Sequence, residues 1–172
     1  LYPGIAVAQE LRRRYPTARV VFAGTGRALE TRAVGREGFD HERVRSAGLK
    51  GKSAGALFRG LGLLPVSVWD AWRVLSRVRP DLVIGLGGYS AGAVVLMAAC
   101  RRTPTLVLEQ NALPGLTNRL LARVVTAAAV SHEVALAYFR GKAFVSGNPV
   151  RVGFTAATSG PSARTRVHLL VI

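Results

Sequence analysis

The chain has 172 residues, of which 49% are hydrophobic, and a formal net charge of +15 from 24 lysines and arginines against 9 acidic residues. This length is enough for one domain with a sizeable core and excludes two large domains. The charge favours an anionic partner, and the single cysteine, Cys100, excludes an intrachain disulfide.

Apolar, strand-like runs alternate with helical patterns along the chain. Strands are predicted at residues 19–23, 81–86, 105–108, 127–130 and 143–145, with a shorter one at 41–44. Helices are predicted at residues 4–15, 28–37, 57–79, 90–100, 116–124 and 133–139. This alternation predicts an α/β fold with a mostly parallel, doubly wound sheet covered by helices on both faces. Cys100 ends an apolar helix and is predicted to be core.

Three regions are predicted along the chain. Residues 1–152 form the α/β domain, residues 153–166 have the small and polar composition of an interdomain linker, and residues 167–172 resemble the first strand of a truncated second domain. Because the sequence opens on a helix, we expect the strand and ligand loop that precede such a helix in a doubly wound fold to lie before Leu1.

A basic and apolar segment spans residues 43–79, with eight basic residues and one acidic one, Asp70. A helical wheel predicts a core stripe made of Leu57, Leu61, Leu64, Val68, Trp72 and Leu75. Apolar side chains outside this stripe, together with nearby cations, suit a surface that enters a bilayer interface. The predicted membrane residues are Lys50, Lys52, Phe58, Arg59, Val66 and Trp69. A solvated basic face and a subunit contact are the alternatives.

A glycine-rich loop at residues 85–92 (GLGGYSAG) follows a predicted strand and opens a helix. It departs from the dinucleotide fingerprint because Ser90 occupies the third glycine position. Its four glycines favour close contact between the backbone and a ligand at the helix N-terminus. The alternative is a tight turn with Ser90 as the N-cap. For the shorter loop between Gly24 and Gly26, a tight turn is the favoured interpretation.

Three hydrogen-bonding side chains, Glu109, Gln110 and Asn111, follow the strand predicted at 105–108. Ligands of open α/β sheets bind outside the carboxyl ends of the strands, so these residues suit a ligand rich in hydroxyls and amides. The alternative is a solvated loop that caps the next helix. Catalysis would depend on Glu109, because the three histidines are too scattered to indicate a metal site or a triad. No zinc-ligand spacing or nucleic-acid-binding motif is found, so nucleic acid is not a predicted partner.

Six motifs, in order along the chain, resemble the N-terminal domain of the MurG family, bacterial N-acetylglucosaminyltransferases that convert lipid I to lipid II in peptidoglycan synthesis. They are YPGIAVA (2–8), GTG (24–26), GLKGK (48–52), GGY (87–89), EQN followed by PG and NR (109–119), and GNPVR (147–151). The resemblance covers nearly the whole sequence.

The resemblance implies that this chain is the Rossmann-like N-terminal half of a GT-B glycosyltransferase. It implies an inverting transfer of N-acetylglucosamine from UDP-N-acetylglucosamine to lipid I, without a cofactor or bound metal. The enzyme would be peripheral on the cytoplasmic face of the bacterial plasma membrane and would serve cell-wall synthesis, and hence cell shape and division. The alternative is a non-catalytic, membrane-anchoring acceptor subunit of a two-chain glycosyltransferase.

The resemblance also implies roles for individual residues. Asn111 and Arg151 match positions that contact UDP-N-acetylglucosamine, whereas Glu109 and Gln110 match positions on the acceptor side. The substrate-binding residues implied in this way are Gly87, Gly88, Tyr89, Gln110, Asn111, Asn118 and Arg151, with Glu109 as the candidate catalytic residue.

Two departures from the family pattern affect these expectations. Leu108 stands where the family commonly has a histidine, and the family's glycine-rich loop that ends in histidine would lie before Leu1. We therefore expect these 172 residues to be inactive alone.

Overall fold

The computed structural model describes residues 1–46, 62 and 64–150. The strands are β1 (Val21–Gly24), β2 (Asp40–Arg43), β3 (Val83–Gly85), β4 (Thr105–Glu109), β5 (Ala127–Val130) and β6 (Ala143–Val145). The helices are α1 (Tyr2–Arg14), α2 (Ala28–Arg36), α3 (Leu64–Val78), α4 (Tyr89–Cys100) and α5 (Leu116–Leu121), followed by a 3₁₀ helix at Glu133–Phe139. The predicted order of elements and the α/β fold class are confirmed.

The described strands form two parallel sheets. One pairs β1 with β2, and the other has the order β3-β4-β5-β6. The alternation predicted one sheet, whereas no hydrogen-bonded pairing joins β1 or β2 to β3 within the described ranges. Helix α4 contacts both β1 and β3 and so connects the two sheets by packing.

Strand β4 lies in the interior of the larger sheet. Its sequence, TLVLE, is a continuous apolar run before the final glutamate, which is typical of a strand covered on both faces. Val107 is fully buried and belongs to a core cluster with Val130 and Phe139. Parallel pairing brings Glu109 opposite Val130 of β5, so the polar end of β4 lies at the carboxyl edge of the sheet.

Helices α4 and α5 pack closely because Gly92 has no side chain. A Cβ atom built there would lie 2.7 Å from Thr117 Cγ2 on α5. This close approach brings the start of α4, which follows the glycine loop, beside the helix that follows β4.

Two sequence predictions about burial are wrong. On α3 the predicted core stripe is wrong for Leu64, Val68 and Trp72, which are exposed, and it is confirmed for Leu75. The buried residues of α3 are Ser67, Asp70, Ala71, Val74 and Leu75. Leu57 and Leu61 lie outside the described residues. Polar side chains occupy this buried face because Arg45 supplies their hydrogen-bond partners.

Cys100 is exposed instead of buried. It is the last residue of α4, and that helix buries Val94, Val95 and Ala98. Because α4 is apolar on all sides, its sequence gives no signal for which face packs inward.

Candidate functional site

A closed hydrogen-bond network surrounds Glu109, which is only 3% exposed. Its Oε1 accepts hydrogen bonds from the backbone N–H and the Nδ2 of Asn111, at 3.0 and 2.8 Å. Its Oε2 accepts hydrogen bonds from the backbone N–H of Gly115 and from Asn118 Nδ2, both at 3.0 Å. Four donors match the four acceptor positions of a carboxylate. Glu109 therefore holds the loop after β4 against the start of α5.

Asn118 lies on α5 and is 3% exposed. Its Nδ2 donates to Glu109 Oε2 and, at 3.3 Å, to the backbone oxygen of Leu108. Both partners are acceptors, so the nitrogen and oxygen of this amide cannot exchange places. Asn118 Oδ1 is buried without a hydrogen-bond partner in the described structure. The Asn118 amide lies 3.7 Å from the position that a Cβ would take at Gly87, so the glycine loop adjoins this unsatisfied acceptor.

The glycine loop has a backbone that requires glycine. Gly87 and Gly88 both have φ of +84°, a region that side chains disfavour. Gly88 is the N-cap of α4 and supplies no side-chain hydrogen bond, so the alternative in which Ser90 caps this helix is wrong. The first-turn N–H groups of α4, which begins at Tyr89, are thus left without a side-chain cap. An uncapped helix N-terminus of this kind favours anionic or oxygen-rich ligands.

Asn111 and Gln110 lie at the mouth of the same region. Asn111 is exposed and Gln110 is half-buried. The backbone N–H and the Nδ2 of Asn111 both donate to Glu109, and these two bonds fix the side-chain amide of Asn111. Asn111 Oδ1 has no hydrogen-bond partner among the described residues. The structure thus brings Gly87, Asn111 and Asn118 around Glu109, whereas Arg151 lies outside the described residues.

The shorter glycine loop is a tight turn. Gly26 has φ of +76°, and Thr25 Oγ1 donates to Glu30 Oε2 at 2.8 Å across the turn. Both features are explained by the connection between β1 and α2, as the sequence favoured.

An aromatic pair lies on the exposed side of α3. Trp69 and Trp72 are 56% and 45% exposed, and their rings stack with centroids 5.2 Å apart. Val66, on the same helix, is half-buried. The other predicted membrane residues, Lys50, Lys52, Phe58 and Arg59, lie outside the described residues.

An ion pair between the buried Asp70 and the half-exposed Arg45 joins α3 to the segment after β2. Asp70 accepts hydrogen bonds from Nε and Nη2 of Arg45, each at 2.8 Å, and from the Arg45 backbone N–H at 3.0 Å. Ser67 Oγ donates to the backbone oxygen of Arg45 on the same side of α3. The side-chain hydrogen bonds from Arg45 lower the pKa of Asp70 from 3.8 to about 2, against the opposing effect of burial. Sequence reasoning missed this pair, although a lone acidic residue in a basic and apolar segment was a signal for it.

Two features are absent from the described ranges. Among residues 1–46, 62 and 64–150, no helix is long and apolar enough to cross a membrane. Across the same ranges, no three His, Cys, Asp or Glu side chains cluster as metal ligands would.

A parallel α/β domain with a glycine loop and a polar cluster at the carboxyl edge of its sheet belongs to the class that binds ligands at that edge. Residues 1–130 match the family model described as the glycosyltransferase family 28 N-terminal domain, and the chain belongs to that family.

Curated relatives confirm the resemblance to the MurG family. The chain is 48% identical over 152 residues to the UDP-N-acetylglucosamine–N-acetylmuramyl-(pentapeptide) pyrophosphoryl-undecaprenol N-acetylglucosamine transferase of Anaeromyxobacter sp. (strain K), covering 88% of this chain and 40% of that protein. The Desulfotalea psychrophila protein of the same name is 44% identical over 174 residues, covering all of this chain and 47% of its own length. The chain thus spans less than half the length of these relatives.

Solved structures confirm the fold. MurG of Acinetobacter baumannii superposes with a TM-score of 0.67 at 24% identity, over 87% of this chain and 42% of that one. UDP-GlcNAc 2-epimerase from Neisseria meningitidis, bound to UDP-GlcNAc, superposes with a TM-score of 0.64 at 16% identity, over 86% of this chain and 44% of that one. At these identities the likeness concerns the fold alone.

Proposed function

We propose that this chain supplies the acceptor side of an N-acetylglucosaminyltransferase that converts lipid I to lipid II. The observation that carries the proposal is the network at the end of β4, where Glu109 holds the loop and Asn118 presents a buried acceptor beside Gly87. The family match and the activity that the relatives' names state support the choice of reaction.

In the proposed reaction, the muramoyl 4-hydroxyl oxygen attacks the anomeric carbon of UDP-N-acetylglucosamine. A new glycosidic C–O bond forms with inversion, the bond to the diphosphate breaks, and UDP leaves with that electron pair. The hydroxyl proton passes to a general base. We propose that this transfer requires no bound metal, and full activity in excess EDTA is the expected result.

Glu109 is better suited to positioning than to accepting that proton. All four of its acceptor positions are occupied by N–H donors, so no position is left for a substrate hydroxyl. We propose that Glu109 orients Asn111 and Asn118, which contact substrate. The exposed Asn111 amide would face the donor sugar together with Arg151, and Gln110 and the Gly87–Gly88 loop would line the acceptor side.

The test is transfer of labelled N-acetylglucosamine to a soluble lipid I analogue by the full gene product that contains this chain. Asn111→Ala is expected to lower kcat/KM about 100-fold, a size that fits the loss of one well-oriented hydrogen-bonding group. Glu109→Gln is expected to lower kcat/KM while leaving the pH dependence of kcat unchanged, with Glu133→Gln, an exposed glutamate, as the control. If Glu109→Gln abolishes the fall of kcat at low pH, the positioning role is contradicted. If Asn111→Ala leaves transfer unchanged, the proposed site is contradicted.

We further propose that the protein is peripheral on the cytoplasmic face of the plasma membrane and that Trp69, Trp72 and Val66 touch its surface. A stacked tryptophan pair, each ring about half exposed, fits the membrane–water interface, where one side of an indole is apolar and its N–H is hydrated. The net charge of +15 supports attraction to an anionic leaflet.

Sedimentation with vesicles tests this surface. Trp69→Ser with Trp72→Ser is expected to reduce the bound fraction at least fivefold on vesicles that contain phosphatidylglycerol. Leu120→Ser is the control, since Leu120 is 69% exposed on α5. Equal sedimentation of the double variant and the control would contradict the proposed contact.

We also propose that the 172 residues are inactive alone, because the relatives are more than twice as long. Transfer by this chain without added protein would contradict that.

A further inference from the structure

A polar pocket of about 450 Å³ opens between β2 and α3. It is lined by Glu42, Arg43, Arg45, Asp70, Arg73, Val74 and Arg77. None of the motifs that indicate the transferase site contributes to this lining. Its volume lies within the range of small-molecule sites and exceeds what a bare ion needs.

The charges of this pocket do not cancel. Asp70 pairs with Arg45, and Glu42 pairs with Arg77. The guanidinium groups of Arg43 and Arg73 have no ion pair or hydrogen bond in the described part of the chain, although the charge of Arg73 also acts on Asp70. The lining thus carries four guanidinium groups against two carboxylates. Like charges held together repel, and an anion between them would relieve that repulsion.

The backbone holds Arg43 in place. Its Cγ and Cδ each lie 3.2 Å from the position that a Cβ would take at Gly26. The aliphatic part of Arg43 thus packs against the turn after β1. Because this packing already restricts the side chain, Arg43 loses less conformational entropy when an anion binds. On the other wall, Arg73 is an exposed residue of α3.

The chemistry of the lining favours a phosphate group. Guanidinium groups donate two parallel hydrogen bonds to phosphate oxygens. Among the described residues of the lining, Val74 is the one apolar residue, and none carries an aromatic ring that could stack on a nucleobase. A phosphate ester with a small polar substituent therefore fits better than a nucleotide or nucleic acid.

The position of the pocket indicates where that phosphate comes from. Arg73 follows Trp69 by four residues on α3, so the two side chains are neighbours on the helix surface. The tryptophan pair and the arginine pocket thus lie on adjoining faces of one helix. If the indoles enter the interface, the pocket lies at the level of the headgroups.

We propose that this pocket binds the phosphate group of an anionic phospholipid headgroup, held between Arg43 and Arg73. This assignment rests on the proposed membrane contact of Trp69 and Trp72. It adds recognition of a single headgroup to an otherwise nonspecific surface.

The first experiment uses sn-glycerol 3-phosphate as a soluble headgroup probe, with the full chain and the Arg Nε–H signals followed by NMR. A saturable shift of the Arg43 and Arg73 signals is expected, weakened at least tenfold in Arg43→Ala/Arg73→Ala. The control is Arg32→Ala/Arg36→Ala, which removes the same charge from exposed positions of α2. The pocket variant keeps both ion pairs, and the amide spectrum reports whether it is folded. No saturation, or equal weakening in the control, would overturn the proposal.

The second experiment separates the pocket from the surface and the lipid from free phosphate. On phosphatidylglycerol vesicles the pocket variant is expected to bind at least threefold more weakly than the control. The Trp69→Ser/Trp72→Ser variant should lose vesicle binding but still bind glycerol 3-phosphate. If that variant still binds vesicles, the membrane contact fails, whatever the pocket binds. If inorganic phosphate binds as tightly as glycerol 3-phosphate and the pocket variant binds vesicles like the control, the lipid assignment is overturned.

Discussion

Glu109 and Asp70 are both buried carboxylates in the described structure, but they bind different partners. Glu109 accepts four hydrogen bonds from neutral backbone and amide groups that lie within nine residues of it. Asp70 is bound by the charged guanidinium of a residue 25 positions away. One carboxylate therefore shapes a local loop, whereas the other ties distant segments together. The difference shows how the same chemical group serves a binding edge in one place and a helix attachment in the other.

Glu109→Ala should have the largest effect on stability. It leaves four N–H groups without their acceptor, which we expect to lower the free energy of unfolding by about 3 kcal/mol. Urea denaturation measures the change, with the exposed Glu133→Ala as the matched control. A loss below about 1 kcal/mol would mean that the loop does not depend on this carboxylate.

Asp70→Asn should show a smaller loss with a distinctive pH dependence. Because the pKa of Asp70 is lowered from 3.8 to about 2, the folded state gains stability from ionised Asp70 above about pH 4 and loses it as the pH falls towards 2. The variant should be about 2 kcal/mol less stable at pH 7, and the gap should close on acidification. Urea denaturation at several pH values checks this, with Asp81→Asn, an exposed aspartate, as the control. A gap that stays constant down to pH 2 would exclude the ion pair as its source.

Gly92→Ala should have the smallest effect and tests the packing that places the glycine loop beside Asn118. The new Cβ would clash with Thr117 Cγ2, and we expect a net loss of about 1 kcal/mol despite the higher helix propensity of alanine. In a Thr117→Ser background, which removes that methyl group, the same change should be neutral or stabilising. Thermal unfolding of the four proteins of this cycle measures the coupling. Equal effects in both backgrounds would mean that contact between position 92 and the Thr117 methyl group does not restrict the packing of α4 against α5.

The same contrast explains what could be predicted from the sequence. The end of β4 was visible because an apolar run stops at Glu109 and the polar residues follow at once. Residue type alone predicted a ligand-facing role for Glu109. The four N–H groups that donate to Glu109 could not be predicted from the sequence. Two of them are backbone N–H groups, which nearly every residue type has, so residue type does not reveal them.

The faces of α3 could not be assigned in this way. A helical wheel sorts residues by hydrophobicity, and it placed Trp72 inside and gave no reason to bury Asp70. Burial of Asp70 depends on Arg45, which is distant in sequence and lies just after β2. The division of the strands into two sheets was likewise invisible, because strand patterns carry no information on which strands become neighbours.

The loop between β4 and α5 is already arranged before anything binds to it. Glu109 bonds the backbone at both ends of this loop, at Asn111 and at Gly115, so the ordering entropy is lost during folding. Immobilising a flexible side chain on association costs about 0.5–1.5 kcal/mol, and a preorganised loop avoids much of that cost. A ligand that meets this edge would therefore find a rigid template, and its affinity would depend on complementarity more than on induced fit.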